Sequence, residues 1–220
     1  DTVRLENGSQ IRLTGIQAPK LPLGRRGFKA WPFSAKSKTA LERLTLNRRI
    51  LLRYDGRKID RHGRLLAHIF VEPDRWIQGA LISLGMARVY SFHDNRTRTA
   101  DLLALEIKAR AARLGIWKHP FYRILKSGES SGFIGTFQLV EGRVMSAALV
   151  RGRGYLNFGE DWRTDFTISI SPRSRRSFKR AGLKIKSYEG RNLRVRGWLK
   201  SFNGPMIEAT HPEQIEVLEE

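Results

Sequence analysis

Asp60-Arg61-His62-Gly63-Arg64 is the stretch whose residue types and spacing point to chemistry. Its Asp-x-x-Gly-Arg order is a turn that Gly63 lets bend, and it opens onto Leu65-Leu66-Ala67-His68-Ile69-Phe70. That run alternates with the period of a strand, Leu65, Ala67 and Ile69 on one face and Leu66, His68 and Phe70 on the other. Arg64 therefore stands at a strand's mouth, where a planar fork of five donors can grip a phosphate. His62 carries an imidazole whose ordinary pKa suits acid–base work; its plainer roles are stacking on a base or sugar, or standing in solvent. A basic loop, Lys20 to Phe33, adds Arg25, Arg26, Lys29 and Trp31, cations and a ring that can track a phosphate backbone or simply be solvated.

The elements that must position these residues follow from pattern. Asp1 to Leu5 and Gln10 to Ile16 alternate around an Asn7-Gly8 turn, an antiparallel pair. Ser34 to Asn47 has helical spacing, with Ser34 in the N-cap place. Ile50 to Tyr54 is a strand. Trp76 to Leu84 is a short helix closed by Gly85, and Thr99 to Leu114 a longer amphipathic helix stopped by Gly115, with Ile116-Trp117 docking after it.

Charge is the outlier of the composition. The chain has 220 residues, 40% of them apolar, with 41 Lys+Arg against 21 Asp+Glu, a net of +20, and its pI is near 11.1. A field of that size favours a polyanion, first nucleic acid, then an anionic membrane or an acidic protein. Residues 133–220 hold 15 basic and 10 acidic side chains, a net of +5, which leaves +15 for the rest, the main electrostatic magnet. No run approaches the ~20 apolar residues of a membrane span. There is no cysteine, which excludes disulfides and thiolate metal sites and fits any redox compartment. Asp1 begins in the middle of a strand pattern without Met, so a preceding segment is expected outside this sequence; location stays open, a periplasmic or secreted one included.

Residues 1–117 resemble the staphylococcal nuclease (thermonuclease-like) family. The resemblance rests on Asp1-Thr2-Val3, Arg12-Leu13-x-x-Ile16-x-Ala18-Pro19, Asp60-Arg61-His62-Gly63-Arg64, Ala80-Leu81-Ile82-x-x-Gly85-Met86-Ala87, and Glu106 through Leu114-Gly115-Ile116-Trp117, in family order. It implies an OB-type five-stranded barrel with three helices, and hydrolysis of phosphodiesters in DNA and RNA. It also implies a calcium ion held partly by two aspartates, a glutamate acting on the attacking water, and two arginines bracing the phosphate. Asp1 matches the first aspartate, and Arg12 and Arg64 match the arginines. Gln17 stands where the second metal aspartate belongs, and Lys20 where the glutamate belongs. Gln17 can lend Ca²⁺ an oxygen but no charge, so Asp1 and Gln17 make a weakened metal pair. A protonated Lys20 is no general base and repels a metal. The family also places aromatics beside the nucleotide, where Tyr90 and Phe92 stand.

Lys126 to Gly132 reads as a polar linker, separating a domain at 1–124 from one at 133–220. The second is almost all strand, in five short runs with a basic helix from Pro172 to Leu183, so a small OB-like barrel is expected and the fold class is α+β. Such barrels bind single strands by stacking bases over a basic groove. Tyr155 and Trp162 are expected as the exposed rings among Tyr155, Phe158, Trp162, Phe166, Trp198 and Phe202, with Arg194 and Arg196 beside them. Three readings follow. One is a nucleic-acid-binding protein, single strands favoured, with a divergent centre. Another is an active nuclease rearranged around Asp1, Arg12, His62 and Arg64. The third is a basic scaffold for a protein or membrane partner, which no exposed amphipathic stretch supports.

Overall fold

The computed structural model describes residues 1–218. Two units divide the chain, one from Asp1 to Tyr122 and one from Arg123 onward. The first runs β1 (Thr2–Arg4), β2 (Gln10–Leu13), β3 (Ile16–Gln17), α1 (Ser34–Thr45), β4 (Ile50–Arg53), β5 (Leu65–Val71), β6 (Arg75–Trp76), α2 (Ile77–Ser83), β7 (Arg88–Val89) and α3 (Thr99–Ala111). The staphylococcal-nuclease-type plan of strands and three helices expected from the sequence is present.

β5, the strand after the Arg64 turn, is the hub. It pairs in parallel with β2 and antiparallel with β4 and β6, while β1 pairs antiparallel with β2. From Ala67 to Val71 it is buried on both faces. One side faces Ile11, Leu13, Ile77, Leu81 and Leu102 in the core. On the other, Phe70 stacks on Trp76, whose Nε1–H donates to His68 Nδ1 at 3.2 Å. Burial, then the Arg98 charge, pushes His68 down to about 4, so it stays a neutral core imidazole at physiological pH. Gln78 on α2 donates to the Ala67 carbonyl and accepts from the Ile69 N–H, which satisfies backbone groups that the helix has taken from water. Ser34 is not the N-cap of α1: it is the first helical residue and is buried, and Phe33 holds the cap position in a left-handed conformation.

The second unit contains β8 (Leu125–Lys126), β9 (Phe137–Arg143), β10 (Ser146–Val150), β11 (Arg153–Asn157), β12 (Thr167–Ile170), α4 (Pro172–Arg180), β13 (Asn192–Ser201), β14 (Pro205–Glu208) and β15 (Ile215–Leu218). One sheet follows the path β10-β11-β12-β14-β13-β9-β8, with β15 beside β13 and β12 parallel to β14. β9 and β10 lie towards opposite ends of this path but are consecutive in the chain. The segment expected as a linker is built into this unit. Leu125 pairs with Val140 and is buried, residues 127–133 form a 3-10 helix, and Glu129 accepts the Lys126 N–H at 2.8 Å. Its polar composition serves a capped turn, not a free tether. The run Ser146–Val150 is a strand that its unalternating Ser-Ala-Ala-Leu-Val sequence does not announce.

In the first unit, two glycines lock α2 to the end of α3. Gly85 and Gly115 both take positive φ, at 63° and 52°, and the Ile116 N–H donates to the Gly85 carbonyl at 2.8 Å. A Cβ on Gly115 would stand 2.1 Å from that carbonyl oxygen, which is backbone and cannot swing aside. The contact lets fully buried Ile116 dock, as the Leu-Gly-Ile-Trp order suggests. Gly115→Ala is expected to cost roughly 2 kcal/mol or more, from left-handed strain plus the overlap. Denaturant titration of the first unit reads this directly, and a loss below half a kcal/mol would refute the locking role.

Candidate nucleic-acid interface

The register of three strands assembles the clamp. Arg12 on β2 is abreast of Thr2 on β1 and Leu66 on β5, so Asp1, Arg12 and Arg64 converge at one end of the barrel. Arg12 is tied down by its own surroundings: Nη1 donates to the Asp1 and Leu13 carbonyls, Nη2 donates to the Ile16 carbonyl at 2.7 Å, and Nη2 lies 3.5 Å from Asp1 Oδ2. Arg64 Nε and Nη2 grip Asp60 Oδ2 at 2.8 and 2.7 Å, and Nη1 reaches Thr2 Oγ1 at 3.2 Å. Asp60 Oδ1 meanwhile accepts the backbone N–H groups of His62 and Arg64, which shapes the turn. Burial pushes the Asp60 carboxyl up, but the Arg64 side chain and these N–H groups outweigh it and hold the acid below the usual range. Asp60 thus orients Arg64; sequence reasoning noted it only as a turn residue.

The place of the second family aspartate is occupied differently from the expectation. Gln17 is buried, and its Oε1 accepts two N–H groups of Arg88, from Nε at 2.9 Å and Nη2 at 2.7 Å. The two residues are direct partners across the β3–β7 ladder. Arg88 is itself buried, with the rings of Trp31 and Tyr122 at 5.8 and 5.9 Å. Both lone pairs of the Gln17 oxygen are thereby used, and a fixed positive charge stands beside it. Asp1 Oδ2 accepts the Ala18 N–H at 3.0 Å and has Lys20 Nζ 3.9 Å away. A hard dication would meet one committed carboxylate, one committed amide and several cations. The Asp1–Gln17 pair therefore does not fit Ca²⁺. Among the described residues, no group of three or more His, Cys, Asp or Glu is placed to hold a metal ion.

Lys20 reports the field of this centre. Burial first, then the charges of Arg12, Arg25, Arg64 and Arg88, push its amine down to about 8. Burial and Arg64 likewise depress Arg12, with Tyr90 and Asp60 pulling the other way. Five cations thus bear on a site with two carboxylates, Asp1 and Asp60.

The remaining expected residues separate. His62 is exposed on its turn, its Nε2 accepting from Arg61 Nε at 3.1 Å, so that nitrogen is engaged away from the centre. Tyr90 lies within the electrostatic reach of Arg12 and packs edge-to-face on Phe92 at 4.9 Å, and Phe92 is exposed beside it. Arg25 folds back on its own loop, donating to the Leu21 and Pro22 carbonyls and covering the Phe28 ring, while Arg26 and Lys29 are exposed. In the second unit, Trp162 is exposed, with the Arg163 guanidinium 4.5 Å from its ring centroid. Tyr155 is half-buried on β11. Trp198 and Phe202 are also exposed, whereas Phe158 and Phe166 pair in the core.

Arg194 and Arg196 do not present free charge. Arg194 bridges Glu141 and Glu216, its partners in register on β9 and β15, and Arg196 is fully buried against Glu216. They are the electrostatic ties of three strands, and the expectation that they bind nucleic acid is corrected.

The shifted amine of Lys20 predicts a pH effect on stability. Its folded pKa lies below its unfolded value of 10.5, so the unfolded chain binds more protons between them, and stability is gained as pH rises from about 8 towards 10.5. Lys20→Met should show a smaller rise in melting temperature over that window than the parent chain. Identical profiles would place Lys20 outside the cationic field.

Comparison with known proteins agrees with the geometry. The family described as staphylococcal nuclease homologue matches residues 10–119, half of the chain. Protein ParB of Escherichia coli is 30% identical over 119 residues, covering 50% of this chain and 61% of that protein. A probable endonuclease LCL3 of Verticillium alfalfae is 31% identical over 116 residues, covering 49% and 38% respectively. An uncharacterized 38.1 kDa protein of Capnoides sempervirens is 31% identical over 109 residues, covering 49% and 28%. The chain thus spans less than two thirds of the length of each of these relatives. With its strand order, its three helices and the matched span in agreement, the chain belongs to the staphylococcal nuclease family.

Proposed function

We propose that this chain binds nucleic acid through a barrel that grips phosphate without cutting it. The observation that carries the reading is the gathering of cations at the centre: Arg12 and Lys20 lie 3.5 and 3.9 Å from Asp1, Arg64 grips Asp60, and the charges of Arg25 and Arg88 also reach Lys20. Arg12 and Arg64 offer guanidinium groups to a phosphodiester, and Tyr90 and Phe92 offer rings beside it. Hydrolysis would further need a base to activate water. Lys20 is mostly ammonium at neutral pH, His62 is turned to Arg61, and Gln17 is spent on Arg88. Relatives named as probable endonucleases support nucleic acid as the ligand class and leave the chemistry of this centre to its own residues.

The second unit supports the same reading. Its strands β9 to β14 follow an OB-like connectivity: a three-strand meander, a helix, then a hairpin whose second strand runs parallel to β12. The first strand is split into β9 and β10, which closes the circuit. Exposed Trp162, with half-buried Tyr155, suits stacking on unpaired bases and favours single strands. No helix among the described residues is long and apolar enough to cross a membrane.

The decisive measurement is cleavage and binding of labelled single- and double-stranded DNA and RNA by the full chain, with Ca²⁺, Mg²⁺, Mn²⁺ or chelator. Salt-dependent binding that survives chelation, without cutting, is the expected result. Arg64→Ala should weaken it roughly tenfold or more, the worth of a charge-assisted hydrogen bond. Cutting that disappears in Arg64→Ala would instead establish a rearranged nuclease centre.

A further inference from the structure

Two populations of cations exist in the second unit, and they differ in pairing. Most of those on the strands are ion-paired: Arg153 and Lys200 share Glu208, Lys126 shares Glu141 with Arg194, and Arg196 pairs with Glu216, while Arg143 on β9 donates to the Gly190 carbonyl. Those on and after α4 are not. From Pro172 to Lys186 there are seven Lys and Arg and no Asp or Glu. Arg175 is held by the Gly152 carbonyl at 2.7 Å, and Lys186 lies 4.0 Å from Glu189. Among the described residues, Arg173, Arg176, Lys179 and Lys184 make no ion pair, and all four are exposed. Arg151 joins them, because its hairpin turn with Gly152 lies against Pro172.

This arrangement opposes the folding of its own helix. Arg173–Arg176, Arg176–Lys179 and Arg176–Arg180 are like-charge pairs at i,i+3 and i,i+4, and Arg173 sits in the first turn, where the helix dipole disfavours a cation. Phe178, buried in the unit's core, and the Ser171 cap hold α4 in place regardless. We infer that the outer face of α4, with Arg151 and Lys184 at its margins, is a second nucleic-acid contact that lies along the phosphate backbone and is separate from the strand face. The nine residues of α4 span ~13 Å, the length over which one strand of a duplex presents about four phosphates, and a matching number of unpaired cations lines them. The face offers no ring and no buried donor, so it reads backbone charge and not sequence. This inference rests on the proposed nucleic-acid function and assigns a surface to it.

The test compares the full chain with Arg176→Gln/Lys179→Gln/Lys184→Gln, with the charge-preserving Arg173→Lys/Arg176→Lys, and with the clamp variant Arg12→Ala/Arg64→Ala. The probes are a labelled single-stranded oligonucleotide and a duplex, titrated from 50 to 200 mM salt. Loss of three phosphate contacts should flatten the log K against log salt slope by about 2 for the single strand and nearly 3 for the duplex. The charge-preserving variant should keep the parental slope, and the triple Gln variant should melt no lower than the parent, since repulsion has been removed. If the triple Gln variant keeps parental affinity and slope while the clamp variant loses affinity, the α4 surface is refuted and the nucleic-acid function stands. If the parent binds neither probe, the function itself fails. Vesicles rich in phosphatidylserine form a third arm; loss of vesicle binding alone in the triple Gln variant would overturn the inference in favour of an anionic membrane.

Discussion

A guanidinium that is only 4% exposed must be solvated by the protein that buries it, and the centre is arranged around that requirement at Arg88. Gln17 supplies an amide oxygen to two of its N–H groups, and Trp31 and Tyr122 supply ring faces. Tyr122 is in turn fixed by its hydroxyl donating to the Pro32 carbonyl. The basic loop that leads from Lys20 to α1 is thereby folded over the charge it helps to satisfy. A carboxylate at position 17 would form an ion pair with Arg88. The amide supplies oxygen but no charge, and the Lys20 amine stands 3.9 Å from Asp1.

Gln17 and Lys20 together leave this end of the barrel with Asp1 and Asp60 as its carboxylates near Arg12 and Arg64. With carboxylates gathered at this end of the barrel, a dication would be attracted and an anionic substrate would arrive bridged by it. With Gln17 and Lys20 in those places, a dication meets fewer carboxylates. Arg12 and Arg64 are braced by groups that do not depend on an ion: backbone carbonyls for Arg12, Asp60 and Thr2 for Arg64. The placement of these two arginines is thus physically separable from the change at positions 17 and 20.

What was legible in the sequence is what local patterns encode. Alternation marked β5 and its turn, and helical spacing marked α1 to α3; α2 ends at its left-handed Gly85, whereas α3 ends at Ala111, before a left-handed Arg113, and not at Gly115. Motif order singled out Asp1, Arg12 and Arg64, which the strand register brings to one end of the barrel. Arg88 was not legible, because it meets Gln17 through a two-residue ladder spanning 71 positions, too short to leave a period and too distant to be seen locally. Arg194 and Arg196 misled for a related reason: alternating arginines on a strand look like a basic groove until Glu141 and Glu216 are known to lie opposite. The polar 125–132 segment misled because serines and glycines that cap a turn have the composition of a tether. Tertiary pairing, not local propensity, decided each case.

Net charge alone therefore says little about where a polyanion would sit on this chain. Arg153, Arg194 and Arg196 in the second unit's sheet lie 2.5 to 3.4 Å from carboxylates. Such ties hold strands in register, and an incoming phosphate would have to compete with a carboxylate already in place. The remaining cations are of two kinds. Arg12, Lys20 and Arg64 are half-buried and held beside Asp1 and Asp60. Those around α4 are exposed and mutually repelling, suited to many loosely placed phosphates. A protein that needs both a grip and a track would place its charges in these two ways.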